Sequence, residues 1–353
     1  MPTRYDLDRA ALAEHLADEP RYRVDQVWHG LYEERRDLQE LTTLPRALRA
    51  RLDRELPVAL RPIAESVTDD GDTVKWLWAL PDDATVETVL MHYPDRSTVC
   101  VSTQAGCAMG CGFCATGQAG FERNLTTGEI VEQVVEAGRR ALASSPSRRL
   151  SNVVFMGMGE PLANYDRLWP AVRRLHDDLG LGARHLTIST VGIVPGIRRL
   201  AAEDLPVNLA VSLHAANDAL RDELVPINRR YPLSVLREAL EGYRAVKNRR
   251  LSFEWALIDG ANDRATDAEE LAAYARPLAA HVNLIPLNPT PGWPTTGSPP
   301  GRVTAFRDLL RDLHVNATVR ANRGTDIDAA CGQLRATHGQ AGPGQPVELR
   351  TRR

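Results

Sequence analysis

The sequence predicts an α/β protein in which an open, partial (β/α)6 barrel, TIM-like in its repeat, follows a small N-terminal helical domain. Six short apolar segments recur after about residue 97, and each is followed by a polar or glycine-rich turn and a helical stretch. Strands separated by helices form parallel sheets, and six such units suit an open barrel better than a doubly wound sheet. No GxGxxG motif follows the first strand, which argues against a dinucleotide-binding fold. The predicted strands are 97–103, 151–156, 185–190, 207–213, 251–257 and 281–287.

The rest of the chain predicts three further parts. Residues 1–70 carry apolar side chains at helical spacing and predict the N-terminal helical domain. Residues 71–96 contain two strand-like segments around a turn, which predict a β-hairpin that leads into the barrel. The barrel itself is expected over residues 97–340. The composition of residues 341–353 predicts a disordered tail.

Composition and charge predict a cytoplasmic protein without a membrane partner. The chain has 353 residues with 43% apolar side chains. No run approaches the ~20 consecutive apolar residues that a membrane span needs, and the first residues lack a signal pattern. A net charge of -3 means that contact with nucleic acid would have to come from local basic patches. The candidates are arginines 46, 49, 51 and 54, arginines 139, 140, 148 and 149, and Lys247 with Arg249 and Arg250, although such runs are usually solvated faces.

Three of the five cysteines are crowded into eight residues. Cys107, Cys111 and Cys114 follow the first barrel strand and have glycines among them. This grouping suits metal ligation in a reducing compartment better than a disulfide framework. A closed zinc site would need a fourth Cys or His nearby, and none has a suitable spacing. A [4Fe-4S] cluster with three protein ligands leaves one iron open for a substrate.

This cysteine spacing, with an aromatic residue before the third cysteine, resembles the signature of the radical S-adenosylmethionine (SAM) superfamily. The segment MGMGEP (156–161) resembles the superfamily's motif for the SAM amino group, which points to Gly159 and Glu160. The resemblance implies that a [4Fe-4S] cluster and SAM bind together. The residues that would complete the SAM pocket are Ser189, Ser212, Leu213, His214 and Asn288. Taken singly, GEP is a tight turn, Ser212 a helix cap and His214 a core histidine.

Motifs along most of the chain make the resemblance closer. Besides the cysteine loop they are MGMGEP, LAVSLHAAND, RDELVPINRRY, NLIPLNPTPG and RGTDIDAACGQL. Together with Cys100, they make the chain similar to the RlmN-type adenine-C2 RNA methyltransferases, from the helical domain to about Leu334. The resemblance implies methylation of an adenosine in the peptidyl-transferase centre of 23S rRNA. In some members, an adenosine next to the anticodon of certain tRNAs is methylated too.

The family's mechanism assigns roles to three further residues. Adenine C2 lies between two electron-withdrawing nitrogens and is a poor nucleophile, so a radical route is needed. In the family's scheme, Cys331 takes a methyl group from one SAM, and a second SAM yields the radical that activates this methyl group for addition to C2. Cys100 then attacks the Cys331 sulfur and forms a disulfide, while Glu87 is the proposed acceptor of the C2 proton. Without the resemblance, the two cysteines are small buried residues and Glu87 is an exposed strand residue.

The resemblance also implies partners, and two alternatives stay open. RNA would bind through the N-terminal domain and the rim of the barrel. A flavodoxin or a thiol-reducing system would supply electrons, and we expect a monomer. A C8-directed sibling enzyme of the resistance type shares the cluster and both extra cysteines. A non-catalytic iron–sulfur RNA-binding protein needs only the cysteine loop and basic patches, and it leaves MGMGEP and Cys331 unexplained.

Overall fold

A continuous β-sheet forms the centre of the protein. The computed structural model describes residues 1–145, 148–288, 290, 292–294, 296–320, 323–324, 327–329 and 332–334, so the predicted tail lies outside the described residues. In chain order, the strands are β1 (Arg61–Thr68), β2 (Thr73–Ala79), β3 (Thr85–His92), β4 (Ser97–Cys100), β5 (Gln104–Gly106), β6 (Phe121–Asn124), β7 (Leu150–Phe155), β8 (Leu186–Thr190), β9 (Asn208–Ser212), β10 (Leu251–Leu257), β11 (His281–Pro286) and β12 (Ala317–Val319). Over these ranges, ten strands pair in the order β1-β2-β3-β4-β7-β8-β9-β10-β11-β12, and β5 pairs with β6 in a small separate sheet.

Helices connect the strands and pack on the sheet and on each other. They are α1 (Arg9–His15), α2 (Tyr22–Trp28), α3 (Arg46–Glu55), α4 (Ala115–Ala119), α5 (Thr127–Ser144), α6 (Tyr165–Asp177), α7 (Val194–Ala202), α8 (Asp218–Leu224), α9 (Leu233–Lys247), α10 (Ala265–Ala275) and α11 (Pro300–Asp312). A single π-helical turn, His29–Glu33, continues α2. Within the described part of the chain, no helix is long and apolar enough to cross a bilayer.

The predicted parallel barrel is confirmed. The strands β4 and β7 to β12 follow one another in the sheet and are all parallel. All six predicted strands are present, because their apolar runs are buried on both faces, as in β10, where every residue is buried. The seventh parallel strand, β12, was not predicted. It has three residues, of which only Ala317 is buried, so no apolar run in the sequence predicts this strand.

The three strands before the barrel extend the same sheet in antiparallel fashion. β2 and β3 form the predicted hairpin, and β3 pairs with β4 so that Val89 lies opposite Cys100. The hairpin is therefore part of the barrel sheet, whereas the sequence predicted only a link. The prediction of helices throughout 1–70 is wrong for residues 61–68, because α3 ends at Glu55 and β1 follows. β1 is an edge strand with little burial, so it lacks the apolar alternation that would have revealed it.

Polar contacts anchor the first residues of the chain to α5 and α6. The Asp6 carboxylate accepts a hydrogen bond from the Gly128 N–H (2.9 Å) in the first turn of α5. Arg174 of α6 is buried and donates to the backbone carbonyls of Tyr5 and Asp6. These bonds satisfy a buried guanidinium with main-chain acceptors, so the turn before α1 is fixed to α5 and α6.

Glu132 of α5 holds the connection between α3 and β1. Its carboxylate accepts hydrogen bonds from the backbone N–H groups of Ala59 (3.0 Å) and Leu60 (3.2 Å). Burial raises the pKa of Glu132 to about 7, although these N–H donors and Arg4 favour the ionised form. The folded protein therefore holds the neutral acid more favourably than the carboxylate.

We expect a Glu132→Gln variant to change how stability depends on pH. The folded pKa of Glu132, about 7, lies above the ordinary value of 4.5. Its stabilising contribution is therefore complete below the ordinary value and is lost as the pH rises through 7. Glutamine does not ionise, so between pH 5 and pH 8 the free energy of unfolding should shift by up to about 3 kcal/mol in favour of the variant. Denaturant unfolding of both proteins across this range measures the shift, and a constant difference would contradict it.

Candidate active site

A cavity at the carboxyl ends of the parallel strands brings most of the predicted site residues together. It is lined by Cys100, Cys107, Cys111, Cys114, Gly159, Glu160, Ser189, Ser212, His214 and Asn288. These residues come from the ends of successive strands, which share one face of a parallel barrel. Leu213 and Glu87 do not line the cavity. Cys331 lies outside the described residues.

The cysteine loop folds tightly against β6. The Cys107 N–H donates to the Gly120 carbonyl (2.7 Å). Gly106 has a φ of +71°, and a Cβ atom there would lie 2.0 Å from the Gly120 carbonyl oxygen, so only glycine fits. Gly110 also has a positive φ, +68°, but a Cβ atom there would meet nothing within 4 Å. The close approach at Gly106 therefore fixes the start of the loop.

The three loop thiols lie close to one another, with Cys111 buried and Cys107 and Cys114 half-buried. Burial raises the pKa of Cys107 to about 12, and burial together with the two neighbouring thiols raises the pKa of Cys111 well above its ordinary value. Thiolates in such surroundings need a cation to stabilise them. Among the described residues, no three His, Cys, Asp or Glu side chains are placed to hold one metal ion. A cluster that takes one thiolate per iron fits this set of donors.

The aromatic residue of the loop packs against His214. The ring centroids of Phe113 and His214 are 4.8 Å apart, and Trp293 lies edge-on to Phe113 at 6.3 Å. The Nδ1 atom of His214 accepts a hydrogen bond from the Ala256 N–H (3.0 Å). Burial, together with the charge of Arg221, lowers the pKa of His214 to about 3. His214 is therefore a neutral imidazole with its proton on Nε2.

Glu160 joins the ends of β7 and β8. It is 2% exposed, and its carboxylate accepts hydrogen bonds from the Leu162 N–H (3.0 Å) and the Val191 N–H (2.9 Å). Burial raises the pKa of Glu160 to about 7 against the effect of these donors. Its own N–H donates to the side chain of Gln104 (2.8 Å). The cavity wall at the GEP motif is thus held by bonds to the main chain of two strand ends.

Arg221 organises this wall, and the sequence analysis missed it. It is fully buried and donates to the carbonyl oxygens of Leu213 (3.1 Å) and Val191 (2.7 Å) and to the side chain of Asn228 (2.8 Å). Burial lowers the pKa of Arg221 to about 10. Leu213 contributes its carbonyl to this network while its side chain is buried. An arginine in a short amphipathic helix is typical of a solvated face, so the sequence carried no signal for its burial.

Glu254 is a second residue that the sequence analysis did not single out. It pairs with Ser212 in the β9–β10 register, lines the cavity and is 4% exposed. One carboxylate oxygen accepts from Ser252 Oγ (3.1 Å) and Asn283 Nδ2 (2.8 Å), while the other has no partner among the described residues. That oxygen is available to a hydroxyl or amino group of a ligand. A lone acid in the apolar strand LSFEWAL was the signal that could have found it.

Cys100 and Glu87 lie on the neighbouring strands β4 and β3. Cys100 pairs with Val89, and Glu87 lies two residues before Val89 on the same face of β3. Glu87 is 6% exposed, so the interpretation as an exposed strand residue is wrong. Its carboxylate lies 3.3 Å from Lys75 Nζ, and its backbone carbonyl accepts from Ser102 Oγ (2.6 Å). Glu87 thus borders the wall that Val89 and Cys100 form, with a cation beside it.

The segment that follows β12 crosses from the barrel to the hairpin and then to the cysteine loop. Its polar contacts include Arg323 Nη1 to the His92 carbonyl (2.8 Å), Lys75 Nζ to the Asp328 carbonyl (3.2 Å) and the Ala115 N–H to the Gly332 carbonyl (2.8 Å). Ala329 and Gly332 line the cavity. The chain on both sides of Cys331 therefore reaches the cavity.

We expect a Gly106→Ala variant to bind less iron than a Gly110→Ala variant. A positive φ costs an alanine about 1 kcal/mol at either position. Only at Gly106 does the new Cβ meet backbone, 2.0 Å from the Gly120 oxygen, so only there must the loop and Cys107 move. Iron per chain after anaerobic reconstitution measures the effect, with the melting temperature as a check on folding. Equal iron contents in the two folded variants would contradict a cluster at this loop.

Comparisons with known proteins identify the family. The profile of the radical SAM superfamily matches residues 101–272. A relative from Chloroflexus aurantiacus is 53% identical over 349 residues, which cover 95% of this chain and 93% of the relative. A relative from Salinispora arenicola is 53% identical over 363 residues, which cover 98% and 95%. Both carry the name "Probable dual-specificity RNA methyltransferase RlmN".

A solved structure agrees with these relatives. The crystal structure of a radical SAM methyltransferase from Sphaerobacter thermophilus is 52% identical to this chain and superposes with a TM-score of 0.93. The match covers 96% of this chain and 100% of that one. Since identity and coverage are high over nearly the whole length, in sequence and in fold, the chain belongs to the RlmN family within the radical SAM superfamily.

Proposed function

We propose that this chain methylates C2 of an adenosine in the peptidyl-transferase centre of 23S rRNA, and also an adenosine next to the anticodon of some tRNAs. The name of its relatives, dual-specificity RNA methyltransferase, supports RNA as the substrate. One observation carries the proposal: three loop thiols, Cys100 and the residues on both sides of Cys331 converge on the same cavity. A purely structural cysteine site would need neither of the two further cysteines.

Membership of the radical SAM superfamily implies a [4Fe-4S] cluster and SAM. We assign the cluster to Cys107, Cys111 and Cys114, and SAM to Gly159, Glu160, Ser189, Ser212, Leu213, His214 and Asn288. Bound at this end of the cavity, the two cofactors would supply a methyl group and the radical chemistry that activates it. The free oxygen of Glu254 beside Ser212 gives this wall a buried acceptor for the hydroxyl or amino groups of SAM.

Cys331 is the proposed methyl carrier and Cys100 the cysteine that resolves it. A thioether on Cys331 can hold a methyl group. Attack by the Cys100 thiolate on the Cys331 sulfur forms a disulfide and breaks the bond from that sulfur to the methylene carbon, which keeps the electron pair, takes up a proton and remains on the base as the methyl group. The sheet supports their meeting. Lys75, which holds the Asp328 carbonyl, pairs with Val89, and Val89 pairs with Cys100. One row of paired residues therefore runs from Cys100 to the segment that carries Cys331.

Glu87 is the proposed acceptor of the C2 proton. The Lys75 ammonium beside its carboxylate favours the ionised form, which is the form able to take a proton. Lys75 also holds the Asp328 carbonyl, three residues before Cys331. The proton acceptor and the carrier segment thus share one anchor, which favours a fixed distance between them.

The remaining assignments concern partners and place. We assign RNA contact to the N-terminal helices, where Tyr22 is 54% exposed and the Arg23 guanidinium lies 4.9 Å from its ring centroid. An exposed aromatic ring with a cation beside it suits a base and its phosphate. We further propose a flavodoxin or a thiol-reducing system as the electron source, and a monomer that works in the cytoplasm.

Reconstituted protein supplied with SAM, a reductant and a 23S rRNA fragment should produce 2-methyladenosine. Mass spectrometry of the digested nucleosides measures the product. The tryptic peptide that contains Cys331 should carry one additional methyl group before any RNA is added, because loading the carrier requires only SAM. Formation of 8-methyladenosine would assign the chain to the C8-directed alternative. Unmodified RNA with cluster-loaded protein would contradict a methyltransferase.

A Cys100→Ala variant should become trapped on RNA. Cys100 acts only after the base is attached to Cys331, so the variant should load its methyl group, attach the base and stop. A nuclease-sensitive shift on a denaturing gel reports the trapped species, and a variant that lacks both cysteines should not show it. If Cys100 is only a packing residue, the substitution should cost about 1 kcal/mol of stability and leave turnover intact.

A further inference from the structure

The cavity extends from the cysteine loop along β3 to Tyr93. β3 runs antiparallel to β4, so Val89 lies opposite Cys100, while Met91 lies opposite Thr98, nearer the start of β4. Tyr93 continues this line beyond the end of β3. Val89, Met91 and Tyr93 all line the cavity. The cavity therefore has two ends, one at the cysteine loop and one at Tyr93.

At this end Tyr93 lies against Arg323, and Arg320 lines the same cavity. All three residues are half-buried, so this end meets the solvent, and we call them the arginine mouth. The Arg323 guanidinium lies 4.4 Å from the centroid of the Tyr93 ring, and its Nη1 donates to the His92 carbonyl (2.8 Å). A second guanidinium, that of Arg96, lies 4.2 Å from the same centroid. The stack and the hydrogen bond orient Arg323 and use one of its five N–H donors.

Among the described residues no carboxylate forms an ion pair with Arg323, whereas several arginines of the basic patches have such a partner. The ion pairs of those arginines include Arg51 with Asp18, Arg140 with Glu65 (3.2 Å) and Arg148 with Asp72 (2.9 Å). Arg96, which also lies over the Tyr93 ring, pairs with Asp95 (2.9 Å). The described residues give Arg323 a carbonyl and a ring as partners but no carboxylate. Its charge is therefore available to an anion at the cavity entrance.

We propose that the arginine mouth binds the backbone phosphate next to the target nucleotide, an inference that rests on the proposed RNA substrate. A base that reaches a buried reaction site has to leave its stack and enter the cavity, while its phosphates stay at the entrance. A guanidinium bonds phosphate through paired N–H donors, and Tyr93 holds that of Arg323 in place before the RNA arrives. Phosphate contacts fix position without reading sequence, so one site can serve two classes of RNA.

An Arg323→Gln variant tests the proposal, with Arg199→Gln as a matched control. Arg199 also stacks on a tyrosine, Tyr165, at 4.0 Å, but it lies on α7 and does not line the cavity. The RNA is a synthetic hairpin with the peptidyl-transferase sequence of 23S rRNA. Arg323→Gln should bind it about tenfold more weakly. The slope of the logarithm of the binding constant against the logarithm of the salt concentration should become less negative by about one. The control should bind like the unsubstituted protein, and methylation of Cys331 should be normal in both variants.

A neutral linkage in the RNA identifies the phosphate. A methylphosphonate on one side of the target adenosine should weaken binding to the unsubstituted protein about tenfold and leave the already weakened Arg323→Gln variant unaffected. Equal losses in both proteins, or full affinity in Arg323→Gln, would overturn the proposal. If Arg323→Gln is unfolded, Arg323→Lys replaces it, because lysine keeps the charge without the paired N–H donors of a guanidinium. The methylphosphonate should then weaken binding to Arg323→Lys less than it weakens binding to the unsubstituted protein. Binding is measured without turnover, so failure here is distinct from a lack of methylated product with the unsubstituted protein.

Discussion

The antiparallel pairing of β3 with β4 is the contact on which the site depends. An open parallel barrel has two strand edges, and an uncovered edge exposes main-chain groups. Here the β2–β3 hairpin covers one edge and brings Lys75 and Val89 into a row with Cys100. The same hairpin provides His92 and Lys75 as partners for the segment that follows β12. One pairing thus builds the wall beside Cys100 and the support for the chain around Cys331.

Buried polar side chains keep the other wall in place. Glu160, Arg221 and His214 all form hydrogen bonds with main-chain groups at the ends of β7 to β10. A polar group buried without a partner costs free energy, so each bond resists rearrangement of the strand ends. The wall is therefore organised by the protein alone. Binding of a ligand in the cavity therefore carries no free-energy cost for ordering this wall.

The features that could be predicted from the sequence are those that depend on residues close together along the chain. Continuous apolar runs such as 251–257 predicted the parallel strands, and the crowding of Cys107, Cys111 and Cys114 predicted a shared loop. Contacts between distant residues left no such pattern. Lys75 and Asp328 are 253 positions apart, and nothing around Lys75 in the sequence indicates a partner.

The burial of charged side chains could not be predicted from the sequence either. The helical spacing around Arg221 is the same for a solvated arginine as for a buried one. Both faces of β3 are buried, so Glu87 is buried although alternation along a strand predicts that one face is exposed. The surroundings of both residues are evident only from the folded sheet, because their partners are main-chain atoms or a cation on another element.

The attachment of the first residues to α5 and α6 sets an order for folding during synthesis. The carbonyls of Tyr5 and Asp6 bind Arg174, which lies 169 and 168 positions later, and Asp6 binds Gly128, 122 positions later. At ribosomal rates of about 5–20 residues per second, these partners emerge on the order of ten seconds after the first turn. Until then the turn before α1 lacks the partners that hold it in the folded protein. The contacts of this turn can therefore be completed only after most of α6 has been synthesised.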